Sequence, residues 1–447
     1  MDPDGKMDIA VIGAGAAGLS AAWLLARRHR VTLIEKDDRL GGHAHTAQLA
    51  SRGGPRVDTG FIVYNEPCYP NFTAWMAELE VATEASDMSF AVSRDDGRFE
   101  YAGGPTFGLL AQPSLPFRPR FWRMLRDLVR FYREAPGDIP PDSTVTLGQY
   151  LQQRGYSQDF LDDHLLPFGA AVWSTSRTNM LDYPAAAFIR FCENHGLLKL
   201  SGRPQWRTVT DGSLSYVSAV HESLRAAGSS VRTDFQVLRV ERDEHGVSVQ
   251  SRAGETVRAD QVVFACHADQ ALACLEAPDA LERELLSPFE YEANLAILHT
   301  DIRFLPKRRR AWCSWNYVER SGSDPSRVSV SYWMNRLQNL SGDTDYIVTL
   351  NPSTPPDASR ILRSQRYEHP VFTADTWQMQ QRLWNLQGRH RSWFCGSYFG
   401  SGFHEDAVQA GFAVAEQLGG LSRPWSLDDP SSRIVVTPAH LTEDIAA

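Results

Sequence analysis

Two short apolar runs bracket a stretch of helical character near the N-terminus. Ile9, Ala10, Val11 and Ile12 form the first, and Val31, Thr32, Leu33 and Ile34 the second. Both are continuous rather than alternating, as expected of strands buried on both faces. Residues 16–28 between them read as a helix. Further strand-like runs lie at 231–240, 246–250 and 257–265, with a last one at 393–397. Residues 117–133 carry a different signal. From Phe121 they predict an amphipathic helix with Phe121, Met124, Leu125, Leu128 and Tyr132 on one face and Arg123, Arg126, Arg130 and Arg133 on the other.

The first pair of strands carries candidate chemistry. Gly13, Gly15 and Gly18 fill the turn before the helix, and Glu35 ends the second strand. Such a turn lets the chain bend at Gly13, approach a pyrophosphate at Gly15 and pack helix on strand at Gly18. The helix opens at Ala16 and Ala17, so its free amides and positive dipole end face the phosphates. Glu35 accepts hydrogen bonds from a ribose diol and repels a 2′-phosphate. The pattern predicts a dinucleotide site in an α/β, Rossmann-type domain.

The residues after Glu35 narrow the choice. Lys36, Arg39, Gly41, Gly42 and His43 follow it, and this segment resembles that of the amine-oxidase-like flavoproteins, in which an arginine and a glycine pair fold over the FAD pyrophosphate. His43 stands where that superfamily usually has a further arginine. Gly396 and Ser397 resemble the last strand before the flavin, and Glu405, Asp406 and Ala407 the start of the closing helix, whose N-terminus stabilises charge on the reduced ring. Thr59, Gly60 and Phe61 resemble the segment that passes the flavin, and Val237 the backbone contact to adenine. The resemblance implies a discontinuous FAD-binding domain of residues 7–80, 211–287 and 388–420. An interleaved α+β substrate domain of 81–210 and 288–387 would have helices in its first piece and a sheet in its second. Residues 421–447 read as a loosely attached tail.

The net charge of −9 over 447 residues argues against a nucleic-acid partner. Six cysteines show neither metal spacing nor a disulfide framework, and there is no apolar run of about 18 residues or more. These features predict a cytoplasmic protein without a metal. The arginine-rich helix at 117–133 admits two readings, a solvated helix packed on the core or peripheral contact with the inner membrane face.

Five segments, among them 58–65, 331–338 and 402–406, also resemble a narrower bacterial group linked to acyl-chain modification and furan-fatty-acid desaturation. That resemblance implies an apolar acyl-lipid substrate and a methyltransferase partner. Tyr64, Asn65 and His404 are the candidate catalytic residues beside the ring, whereas His369 and Asn335 read as structural. Amine oxidases of the superfamily often place a lysine near the flavin, and the run at 291–298 has none. Four readings stay open: an acyl-chain desaturase or dehydrogenase, an amine oxidase, a redox-neutral double-bond isomerase, and a non-catalytic flavoprotein partner of a lipid methyltransferase.

Overall fold

The computed structural model describes residues 5–49, 54–103, 108–140, 143–173, 177–320 and 329–437. The two N-terminal runs form β1 (Asp8–Ile12) and β2 (Arg30–Ile34), joined by helix α1 (Ala16–Leu25). They lie in a five-stranded parallel sheet with β3 (Ser230–Arg232), β4 (Gln261–Phe264) and β5 (Ser392–Phe394), in the order β3-β2-β1-β4-β5. Every residue of α1 is buried, because the helix is covered by the sheet and by α3 (His404–Gly419). This explains why α1 is apolar all round.

The expected strand at 231–240 is two strands. Asp234 takes a left-handed conformation (φ 54°) and breaks the run, and the N–H of Phe235 goes to the Glu35 carbonyl. The chain then enters a three-stranded antiparallel sheet of Val237–Arg242, Val247–Ser251 and Thr256–Ala259. The run at 257–265 also divides, at Asp260, which leaves β4 in the large sheet.

The substrate half is built on a seven-stranded mixed sheet. Its centre comes from residues 290–371. One edge, however, is Phe90–Arg94 and Phe99–Gly103, from the piece expected to be helical. Phe90–Arg94 lies parallel to Trp315–Val318, so their pairing depends on a contact across more than half of this sheet's sequence span. A small sheet of Val63–Asn65, Trp206–Val209 and Thr83–Ser86 crosses the expected boundaries at 80/81 and 210/211 and joins the halves.

The arginine-rich segment is helical over α2 (Pro119–Asp138), with Phe121, Met124, Leu128, Phe131 and Tyr132 buried. Its basic face is largely compensated. Arg120 pairs with Asp163, Arg123 with Asp159, Arg126 with Asp127 and Arg130 with Glu134. Among the described residues no helix is long and apolar enough to cross a membrane.

Residues 421–437 are not loose. Trp425 stacks on Trp23 of α1 at 6.2 Å, and Arg423 and Arg433 form ion pairs with Glu416 and Asp406 of α3. The polar composition of this segment concealed three side chains that fasten it to the domain. The rest of the expected tail, 438–447, lies outside the described residues.

Candidate active site

The glycine turn has a crowded side and an open side. A Cβ at Gly13 would lie 2.7 Å from the Ala265 carbonyl oxygen, and one at Gly18 only 1.8 Å from that of Gly13. A Cβ at Gly15 would meet nothing within 4 Å. The empty space lies at the N-terminus of α1, where no side chain caps the helix and no acid occupies the first turn. The amides at Ala16 and Ala17 are thereby left for an external anion.

Glu35 is buried beside this turn, accepting from the Ala14 N–H at 2.8 Å and the Asp37 N–H at 3.1 Å. Burial pushes its pKa up, against the pull of these amides. Arg39 donates to the Gly42 carbonyl at 2.9 Å, and the Gly41 N–H reaches the Ala14 carbonyl. The loop over Gly41 and Gly42 is therefore folded back onto the phosphate turn. Lys36 is exposed at its rim. Val237 starts the small sheet beside β3, and Gly396 and Ser397 follow β5.

Beyond the turn, four histidines gather. His43 stacks on His369 at 5.2 Å, His404 stacks on Phe61 at 3.8 Å, and His267 stacks on Tyr291 at 4.0 Å. Gly60 passes directly under His43, and the Phe61 N–H bonds the His43 carbonyl at 2.8 Å. Thr59 bonds the Tyr367 hydroxyl at 2.7 Å, and Tyr367 meets the His43 ring edge-on. Burial and the neighbouring histidines depress the pKa of His43. Burial brings His404 down to about 3 and His369 to about 4. His267 is held near 4 by burial and the nearby Lys36 charge. The cleft is thus lined by neutral imidazoles.

The sequence-derived residues fall into different places. His404 lies in the cleft, fixed by the Tyr216 hydroxyl at 2.7 Å. Tyr64 is packed in the core against Phe72 and Tyr69. Asn65 is fully buried and caps the turn that follows it, accepting the Cys68 N–H at 3.0 Å. Both side chains serve the scaffold here, because the strand that carries them is covered on both faces. Glu405 and Asp406 are also fully buried and turned into the protein. Glu405 accepts from Asn71 and Phe72, and Asp406 from Ser401, Phe403 and Arg433. With Ala407 they leave the amide end of α3, rather than their carboxylates, for a cofactor.

Sequence reasoning missed His267, Tyr216 and Tyr367, and it assigned His369 to the sheet alone. These residues come from three separate segments, and only Tyr367 and His369, two apart on one strand, are related by spacing.

A family model described as flavin-containing amine oxidoreductase matches residues 16–344. The chain belongs to this family. An L-amino-acid oxidase of Bungarus fasciatus is 26% identical over 259 residues, covering 54% of this chain and 46% of the relative. A carotenoid 3,4-desaturase of Haloarcula japonica is 25% identical over 313 residues, covering 63% and 58%. The chain thus spans about half the length of the curated relatives it matches. Among solved structures, cyclohexylamine oxidase of Brevibacterium oxydans superposes with a TM-score of 0.65 at 16% identity, covering 93% of this chain and 99% of that one. A fatty acid isomerase of P. acnes gives 0.63 at 16% identity, covering 90% and 96%. These likenesses establish the fold. Membership of this flavin-containing family indicates FAD, and the open side of Gly15, the uncapped end of α1 and Glu35 fit that cofactor.

Proposed function

We propose that this flavoprotein dehydrogenates an unsaturated or methyl-branched fatty acyl chain of a lipid. One observation carries the reading. The substrate half contains a cavity of about 180 Å³ walled by side chains such as Phe90, Leu125, Val129, Phe168, Val172 and Trp315. An apolar cavity of roughly 150 Å³ stays dry and takes hydrocarbon ligands. Bound FAD supplies a hydride acceptor at N5. The protein's part is to hold the chain out of water and keep the surrounding imidazoles uncharged. Strand Glu290–His299, where related amine oxidases often carry a lysine, has Asn294, which is buried and bonded to His369 at 2.9 Å. That arrangement disfavours the amine-oxidase reading.

The proposal extends to the membrane surface. Phe117 and Trp122 are 87% and 54% exposed at the start of α2, whose inner face lines the cavity through Leu125 and Val129. These aromatics would rest in the lipid interface while an acyl chain enters.

The test is an anaerobic flavin spectrum of the purified protein titrated with acyl lipids and, separately, with amines. Bleaching by unsaturated or methyl-branched lipids is expected. Bleaching by amines alone would replace this reading with amine oxidation, and lipid turnover without consumption of an electron acceptor would replace it with isomerisation.

A further inference from the structure

The cavity has a cation at its exposed end. We infer that Arg203 is the anchor for the substrate's anionic head, a carboxylate or a phosphate, with the acyl tail directed inward. This assignment rests on the acyl reading of the cavity and adds the chemistry of its entrance.

Arg203 and Leu200 both line the cavity and are exposed, Leu200 to 53%. The Arg203 Nε donates to the Lys199 carbonyl at 2.7 Å, which orients the guanidinium and leaves its outer edge for a ligand. The arginines on α2 named above have carboxylate partners, but among the described residues no carboxylate pairs with Arg203. Arg203 thus sets an uncompensated guanidinium at the mouth of an apolar cavity, on a chain of net charge −9.

The wall behind it explains why the charge is not quenched from within. His164 bridges two tyrosines, with Nδ1 2.8 Å from the Tyr101 hydroxyl and Nε2 3.0 Å from that of Tyr132. Tyr101 also donates to the Asp163 carbonyl at 2.9 Å. One proton arrangement satisfies every group. Tyr101 donates to Asp163, the His164 Nδ1–H donates to Tyr101, and Tyr132 donates to Nε2. Burial and the nearby Arg203 charge keep His164 neutral, with a pKa of about 3. The Asp163 carboxylate is fully buried and engaged by Arg94 and Arg120 on the far side. The network therefore presents neutral groups to the cavity, and Tyr132 turns only oxygen lone pairs toward Arg203. A carboxylate head would meet one fixed cation, and the methylenes behind it would meet Leu125, Leu128 and Val129.

The test uses the full-length, FAD-loaded protein and displacement of a fluorescent long-chain conjugated acid. Three competitors share one acyl chain: the free acid, its methyl ester and a lysophospholipid. Charged hydrogen bonds of the usual strength predict that the acid binds about 10- to 100-fold more tightly than the ester. Arg203→Gln should reduce acid binding to the level of the ester and leave the ester unchanged, with Arg203→Lys in between. A lysophospholipid that alone shows this dependence on Arg203 would assign the site to phosphate. Equal binding of acid and ester, with no competitor sensitive to Arg203→Gln, would overturn the assignment while leaving the acyl reading in place. The cavity-filling variant Val129→Trp, or the milder Leu109→Trp at the mouth, should expel acid and ester alike while the flavin spectrum reports an intact fold. Undiminished binding in both filled variants, or no binding by the wild type, would remove the acyl reading and this assignment with it.

Discussion

Arg433 donates through Nε to Asp406 at 2.6 Å, fastening the chain's last described segment to the first turn of α3. Asp406 is buried and its other oxygen caps the same turn. Removing the guanidinium would strand a buried carboxylate, which typically costs about 3–5 kcal/mol. Arg433→Met is expected to lose stability on that scale in denaturant titrations at fixed FAD. Combining it with Asp406→Asn should recover part of the loss. Strict additivity of the two substitutions would show that the pair is not coupled.

Gly15 and Gly18 should separate cofactor binding from folding. Alanine at 15 enters empty space, so stability of the apoprotein should change by no more than about 0.5 kcal/mol. The same methyl intrudes where the pyrophosphate approaches, and the purified variant should be folded but colourless. Alanine at 18 collides with backbone and should cost about 3 kcal/mol or more. A yellow Gly15→Ala protein with normal flavin content would refute the placement of the phosphates.

How much of this was legible beforehand depended on whether the signal was local. The turn at Gly13, Gly15 and Gly18, the acid at 35 and the apolar strands around them are encoded within one βαβ unit, and the structure has them at those positions. The histidine-lined cleft was not legible, because His43, His267, His369 and His404 are brought together only by tertiary packing. Glu405 and Asp406 were found as residues, but the direction of their carboxylates was not legible. A helix start favours acids whether they face a ligand or the protein, and only the positions of Asn71 and Arg433 decide which. The split at Asp234 was equally invisible, since an aspartate in a left-handed turn does not interrupt an apolar pattern on either side.

Asp58 gives a pH signature. It accepts from Thr46, Ser213 and Gln338 in a buried site joining the two halves, and burial raises its pKa to about 6. An unfolded aspartate titrates near 3.9, so the folded state holds this proton more tightly. Its contribution is fully present below about pH 4 and is lost as pH rises through about 6. The linked change is up to about 3 kcal/mol. Asp58→Asn should flatten the stability profile of the wild type across that window; an unchanged slope would exclude Asp58 as its source.

Vesicle binding, if it uses α2, should be driven by Phe117 and Trp122 and not by the paired arginines. Phe117→Ser and Trp122→Ser are each expected to weaken binding to phospholipid vesicles by about tenfold, from roughly 1.5 kcal/mol or more of lost apolar burial. Raising the salt concentration should have little effect. Strong salt dependence with no response to the serine variants would point to the arginine face instead.

The parallel sheet that carries the cofactor draws its strands from Asp8–Ile12 at one extreme and Ser392–Phe394 at the other. A nascent chain can form the phosphate turn early, but β4 lacks its outer neighbour and α1 lacks its cover until β5 and α3 have left the ribosome. Non-local pairing of this kind is slow and leaves apolar surface uncovered in the meantime. Capture of FAD therefore waits for residues 392–419, and chain fragments that stop short of residue 419 should call on chaperones instead of turning yellow.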